Sequence, residues 1–244
     1  MVLPRERLIV ALDVPSAAEA HKIVSSLGNT VETYKVGMQL YTAEGPGVVR
    51  ELVSSGKKVF LDLKYHDIPN TVVAAVRESS QLGVSMLTVH AAGGTKMLQA
   101  AVEAARASKP NVPRILAVTV LTSMNNADLN EIGVPGELES HVLQLASMAL
   151  AAGCAGVVSS AREVKTLRAK LGNDFLAVTP GVRPAGTALG DQARVVTPAE
   201  AIAAGASHIV VGRPITATSN PAAAAETVLQ EIESAALVST SQTK

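Results

Sequence analysis

Tryptophan is absent from this chain of 244 residues, and only two Phe and three Tyr are present. So few rings leave no stacking platform for nucleic-acid bases. Any ring bound here has to be held by hydrogen bonds and aliphatic walls. Neither sign of charge is in excess, because 21 Lys and Arg offset 21 Asp and Glu. That balance argues against non-specific binding to nucleic acid or anionic membranes, which relies on a basic surface; a local cationic pocket remains compatible with it. Cys154 is the only cysteine, so no intrachain disulfide can form. Within "AAGCAGVV" it reads as a small buried hydrophobe rather than a nucleophile. No uninterrupted apolar run approaches membrane-spanning length. The N-terminal "MVLPRERLIVALDV" has a short apolar run broken by Asp13 and no signal-peptide layout. The expectation is a soluble cytoplasmic protein that binds neither membrane nor nucleic acid.

What is present is 48% hydrophobic residues in a regular alternation. Runs rich in Val, Ile and Leu fall at 8–14, 33–38, 58–64, 86–91, 115–121, 156–160, 176–181 and 208–213. Between them lie segments such as "SAAEAHKIVSSL", "NTVVAAVRESSQLG" and "KMLQAAVEAARAS", whose apolar residues recur at helical spacing. Gly28, Gly56, Gly83, Gly153 and Gly205 fit the position just past a helix C-terminus. Strict β-α alternation favours a parallel sheet covered by helices. Eight units in this length suit a (β/α)8 barrel, a TIM barrel. An open doubly wound sheet could use the same units, but "LIVALDV" is not followed by a glycine-rich dinucleotide fingerprint. No linker or low-complexity block divides the chain. The expectation is a single (β/α)8 barrel domain over 1–244, with residues 234–244 as a frayed tail.

In such a barrel, functional groups sit at the C-terminal ends of the strands, and polar residues gather there: Asp13, Lys35, Asp62, Lys64, His90, Thr122, Ser123, Arg183, Gly212 and Arg213. Within "VFLDLKYHDIPNT", period-two alternation puts Asp62 and Lys64 on one face and turns Leu61 and Leu63 toward the helices. With Lys35 on the next strand and Asp13 beyond it, a row of alternating charge is expected. A pair at 4 Å is worth about 4 kcal/mol at intermediate dielectric, enough to help offset desolvation. A charge-compensated barrel layer without catalysis would give the same pattern. Carboxylates beside Lys64 hold its ammonium charged, which suits a proton donor or an electrostatic stabiliser and not a Schiff-base nucleophile. An ammonium among the carboxylates also competes with a metal cation, so no metal is expected. His66 reads as a packing residue and not a ligand.

The opposite half of the barrel has the layout of a phosphate site. "TPGVRPAG" follows the seventh strand and "VVGRP" ends the eighth, where barrels commonly bind phosphate. Arg183 and Arg213 supply forked donors and Gly212 allows close backbone approach.

At "DLKYHDIPNT" the chain resembles the orotidine 5′-phosphate decarboxylase family in its shorter bacterial form. "ALDV", "YKVG", "FLDLKYHDIPNTV", "TVHAAGG", "VLTS", "TPGVRPAG…DQARVVTP" and "VVGRPI" match in order over essentially the whole chain. D-x-K-x-x-D alone is shared with sugar-phosphate decarboxylases and synthases of the same superfamily; the IPNT extension and the R-P-x-G…D-Q-x-R-V-x-T-P loop make the match specific. The resemblance implies decarboxylation of orotidine 5′-phosphate to UMP with no cofactor. Lys64 would protonate C6 of the pyrimidine, with Asp62 beside the departing carboxylate. Lys35 would orient Asp62 and, with Asp13, hydrogen-bond the ribose. Asp67 and Thr71 would reach the partner's site in a homodimer with shared active sites. Thr122 and Ser123 would lie near the pyrimidine edge. Arg183, Gly212 and Arg213 would bind phosphate, and Gln192 would bridge phosphate and ring from a closing segment over 183–197. Two other readings stand beside this one: a metal-dependent sugar-phosphate decarboxylase or synthase, and a non-catalytic barrel that binds nucleotide or another protein.

Overall fold

Apolar residues at alternate positions give each strand an inward and an outward face, and closure into a barrel buries both. The computed structural model describes residues 4–184 and 196–241. Its strands are β1 (Leu8–Ala11), β2 (Thr33–Gly37), β3 (Lys58–Tyr65), β4 (Met86–His90), β5 (Arg114–Val118), β6 (Gly156–Val158), β7 (Leu176–Thr179) and β8 (His208–Val211). They run parallel in sequential order, and β8 closes on β1, giving the expected (β/α)8 barrel. Most strands stop one to three residues before the end of the apolar run that announces them. The surplus residues, such as the buried Leu12 and Val120, turn into the loops that carry the polar groups.

Two cores follow from the alternation. Ile9, Ala11, Phe60, Met86, Leu116, Val178 and Val210 fill the barrel's interior. Leu8, Val10, Leu61, Leu87, Ala117, Ala177 and Val211 face the other way and pack against the helices. The five glycines expected at helix ends all have positive φ, from 52° to 100°. Cys154 is buried, and burial pushes its thiol up to about 12, in keeping with an inert packing residue.

The last helix runs Pro221–Ser241 and so takes in residues 234–241. The Ala-rich helix packs against the helices Pro198–Ala203 and Ala17–Leu27, and Ile232 and Ala235 are buried, so tertiary contact extends the helical turns. Among the described residues no helix is long and apolar enough to cross a membrane.

Candidate active site

The site begins with a break in β3. Phe60 pairs with Met86 and Leu61 with Leu87 on β4, but the next pairing is Tyr65 with Val89. Four steps along β3 therefore face two along β4, and the surplus is absorbed at Lys64. Its φ of 52° makes it the one non-glycine residue in the left-handed region among the described residues. That conformation costs an L-residue on the order of 1–2 kcal/mol. Local hydrogen bonds hold it. The Lys64 N–H donates to Thr88 Oγ1 at 2.8 Å, Thr88 Oγ1 donates to Asp62 Oδ1 at 3.1 Å, and Lys64 Nζ donates to the same Oδ1 at 2.9 Å. Asp62 and Lys64 therefore meet as expected, through a bulge and not through plain strand alternation. Leu61 and Leu63 turn toward the outer core.

Lys35 on β2 extends the contact into a row. Its Nζ lies 2.7 Å from Asp13 Oδ1 and 4.0 Å from Asp62 Oδ2. The side chains of Lys35, Asp62 and Lys64 are 12%, 14% and 25% exposed, whereas Asp13 is 56% exposed. Water is largely excluded from Lys35, Asp62 and Lys64, so their interactions are little screened, whereas solvent screens the shorter contact of Lys35 with Asp13. Among the described residues no three His, Cys, Asp or Glu side chains are grouped so as to hold a metal ion.

Across the barrel mouth stand the cations. Arg183 is 8% exposed, and with Gly181, Gly212 and Arg213 it lines the same cavity of about 450 Å³ as Asp13, Lys35, Asp62 and Lys64. Its floor is the apolar barrel interior at Phe60, Val118, Val158 and Val210. The Arg183 N–H donates to Val196 O at 2.9 Å, and Val182 bridges Val196, so the chain after β7 is fastened to the start of the following helix. The cavity is polarised, with a mixed charge row on one wall and guanidinium groups on the other. This suits an elongated polyfunctional anion of nucleotide size.

The remaining expected residues divide. Thr122 lines the cavity, whereas Ser123 is exposed and does not. Asp67 is exposed, with Oδ1 accepting from the Ile68 N–H at 2.6 Å, and Thr71 is exposed on the helix Pro69–Gln81; neither lines this cavity. Gln192, with most of the segment 183–197, lies outside the described residues. His66 stacks on His90 with ring centroids 5.2 Å apart, a packing role. Burial, then the neighbouring His66 and Lys64, hold the His90 imidazole below its ordinary range, and its Nδ1 accepts from the Ala92 N–H.

Thr88 was not singled out from sequence. The available sign was a polar residue at an inward position, between Met86 and His90 on β4, level with the charges on β3.

A family model described as orotidine 5′-phosphate decarboxylase / HUMPS family matches residues 6–228. The chain is 51% identical over 235 residues to an orotidine 5′-phosphate decarboxylase of Moorella thermoacetica, covering 94% of this chain and 93% of that protein. It is 52% identical over 229 residues to the enzyme of the same name from Halorhodospira halophila, covering 94% and 97%. A crystal structure of orotidine 5′-phosphate decarboxylase from Lactobacillus acidophilus superposes with a TM-score of 0.83 at 44% identity, covering 92% of this chain and 98% of that one. With the barrel, the polarised cavity and the motifs in agreement over nearly the full length, this chain belongs to the orotidine 5′-phosphate decarboxylase / HUMPS family.

Proposed function

We propose that this protein decarboxylates orotidine 5′-phosphate to UMP, without a cofactor, in the cavity at the C-terminal end of the barrel. The observation that carries the reading is the row Asp13–Lys35–Asp62–Lys64 facing Arg183 and Arg213 across one cavity. Phosphate sits with Arg183, Gly212 and Arg213, and the pyrimidine reaches the charge row. Gln192 bridges phosphate and ring. Lys35 and Asp13 hydrogen-bond the ribose, and Thr122, which lines the cavity, lies near the pyrimidine edge.

The chemistry follows from the charges. The bond between C6 and the carboxylate breaks, carbon dioxide leaves, and the electron pair stays at C6. Lys64 Nζ delivers a proton there and regains one from solvent after turnover. Asp62 holds Lys64 and lies against the substrate carboxylate, where like charges in a poorly hydrated site repel until carbon dioxide departs. Phosphate, remote from C6, contributes binding energy that keeps the ring in this setting.

Asp67 and Thr71 reach the partner's site in a homodimer. Their exposure supports this, as does Ile68, which is 67% exposed beside Asp67 and gives the face apolar area for a subunit contact.

The test is the loss of orotidine 5′-phosphate absorbance on adding the protein, with EDTA present. Undiminished turnover is expected. No turnover by folded protein would overturn the reading, and turnover lost on chelation would favour the metal-dependent sugar-phosphate chemistry. Lys64→Ala should reduce kcat by roughly four orders of magnitude or more, while UMP affinity changes by less than about tenfold. Full activity in that variant would refute the proton-donor role.

A further inference from the structure

We propose that Thr88 is a positioning residue for Lys64, its one hydroxyl fixing both the backbone and the carboxylate that aim the ammonium. The inference rests on the reading in which Lys64 delivers the proton. Thr88 is fully buried on β4 and does not line the cavity, so it can act only through its neighbours. Its oxygen accepts from the Lys64 N–H and donates to Asp62 Oδ1, the oxygen that also receives Lys64 Nζ. The three bonds form a small closed circuit: Lys64 backbone, Thr88 hydroxyl, Asp62 carboxylate, Lys64 ammonium.

The circuit occurs where it is needed. Between Leu61 and Tyr65 the pairing of β3 with β4 lapses, and the Lys64 N–H is held there by a side chain. Lys64 is in the left-handed region, which only a specific restraint makes worthwhile for a non-glycine residue. Releasing its N–H lets φ relax toward the extended region and changes the direction in which the Cα–Cβ bond leaves the chain. The same loss frees Asp62 to rotate toward Lys35, whose Nζ stands 4.0 Å from Oδ2. Either movement takes Nζ from its aim, and neither touches the cavity wall that holds phosphate.

The test compares Thr88→Val and Thr88→Ala, which lack the hydroxyl, with Thr88→Ser, which keeps it. Valine preserves the shape and alanine avoids strain should valine destabilise the barrel. Expected in both is a kcat lowered by roughly 10- to 100-fold, KM and UMP affinity within about threefold of wild type, and recovery in Thr88→Ser to within about threefold. A kcat unchanged within about twofold in either hydroxyl-free variant overturns the proposal. So does an equal loss in Thr88→Ser, which would make the effect one of packing alone. Hydrogen exchange at the Lys64 amide decides the clamp independently of turnover. Protection in the wild type that falls by at least about tenfold in Thr88→Ala supports it, and an amide unprotected in the wild type overturns it. A wild-type protein inactive on orotidine 5′-phosphate with a protected Lys64 amide would sink the functional reading and leave the clamp standing.

Discussion

Gly37, at the end of β2, sits against the Lys35–Asp13 pair. A Cβ placed there would stand 2.8 Å from Lys35 Nζ and 3.2 Å from Asp13 Oδ1. Its φ of −100° and ψ of −174° are ordinary extended backbone, so alanine meets no conformational obstacle. The conflict is entirely with the charge pair. Lys35 Nζ is the tip of a flexible side chain and can withdraw, so stability should fall by less than about 1 kcal/mol. Withdrawal moves the one ammonium that links Asp13 to Asp62. Gly37→Ala should therefore lower kcat/KM for orotidine 5′-phosphate by roughly tenfold, about 1.4 kcal/mol of transition-state stabilisation. Steady-state kinetics beside a urea titration separate the two quantities; an unchanged kcat/KM would mean that the row tolerates a displaced Lys35. The sequence offers "YKVG" without this reason, because the space behind a glycine depends on which side chain from a neighbouring loop reaches it.

At the scale of elements, the strands differ in how closely they approach one another. β6 is only three residues long and starts with Gly156, which pairs with Leu176 on β7. A Cβ at Gly156 would fall within 2.6 Å of Leu176 Cβ and closer still to the Leu176 carbonyl oxygen. Backbone cannot withdraw as a lysine tip can. Gly156→Ala should thus cost about 3 kcal/mol or more, the upper end of overpacking in a core, and lower Tm by roughly 6–12 °C for a chain of this size. Thermal unfolding followed by circular dichroism checks this, and a Tm within about 2 °C of wild type would show that β6 and β7 can separate at no cost. Elements of this kind were largely legible: short apolar runs located all eight strands, and helical spacing located the helices Ala17–Leu27, Pro69–Gln81 and Gly94–Ala107 between them. The left-handed Lys64 was not legible. It follows from β4 having two residues fewer than β3 over the same span, a relation between strands that neither strand encodes. Thr88 was overlooked for a related reason, since a threonine in a strand is common and its partners lie 24 and 26 residues away.

For the whole molecule, the two mouths of the barrel divide the chemistry from a pH-sensitive part of the stability. The C-terminal mouth carries the charge row. Asp67 and Thr71 were named from the resemblance, and one chain does not bring them to its own cavity. At the N-terminal mouth, His208 opens β8 with its side chain on the inner face, in register with Val210, and is 7% exposed with Nδ1 unpartnered. Burial, then the nearby Arg114 and Arg7, opposed by Glu6 and aided least by Lys58, lowers its pKa from 6.5 to about 4. In the unfolded chain the imidazole takes its proton near the ordinary value, while the native barrel refuses it until about pH 4. The stability conferred by a neutral His208 is therefore complete above about pH 6.5 and lost as pH falls toward 4, a total of about 3 kcal/mol. Urea unfolding of wild type at pH 7 and pH 5 should differ by about 2 kcal/mol from this group alone. Other carboxylates titrate in the same interval, so the comparison that isolates the effect is His208→Leu, which fills the site without a titrating group. Its stability should fall by about 2 kcal/mol less than that of wild type over the same two pH values, and its kcat at pH 7 should be unchanged because the substitution lies at the far mouth. Parallel losses in the two proteins would show that the wild-type barrel accommodates a charged His208 without penalty.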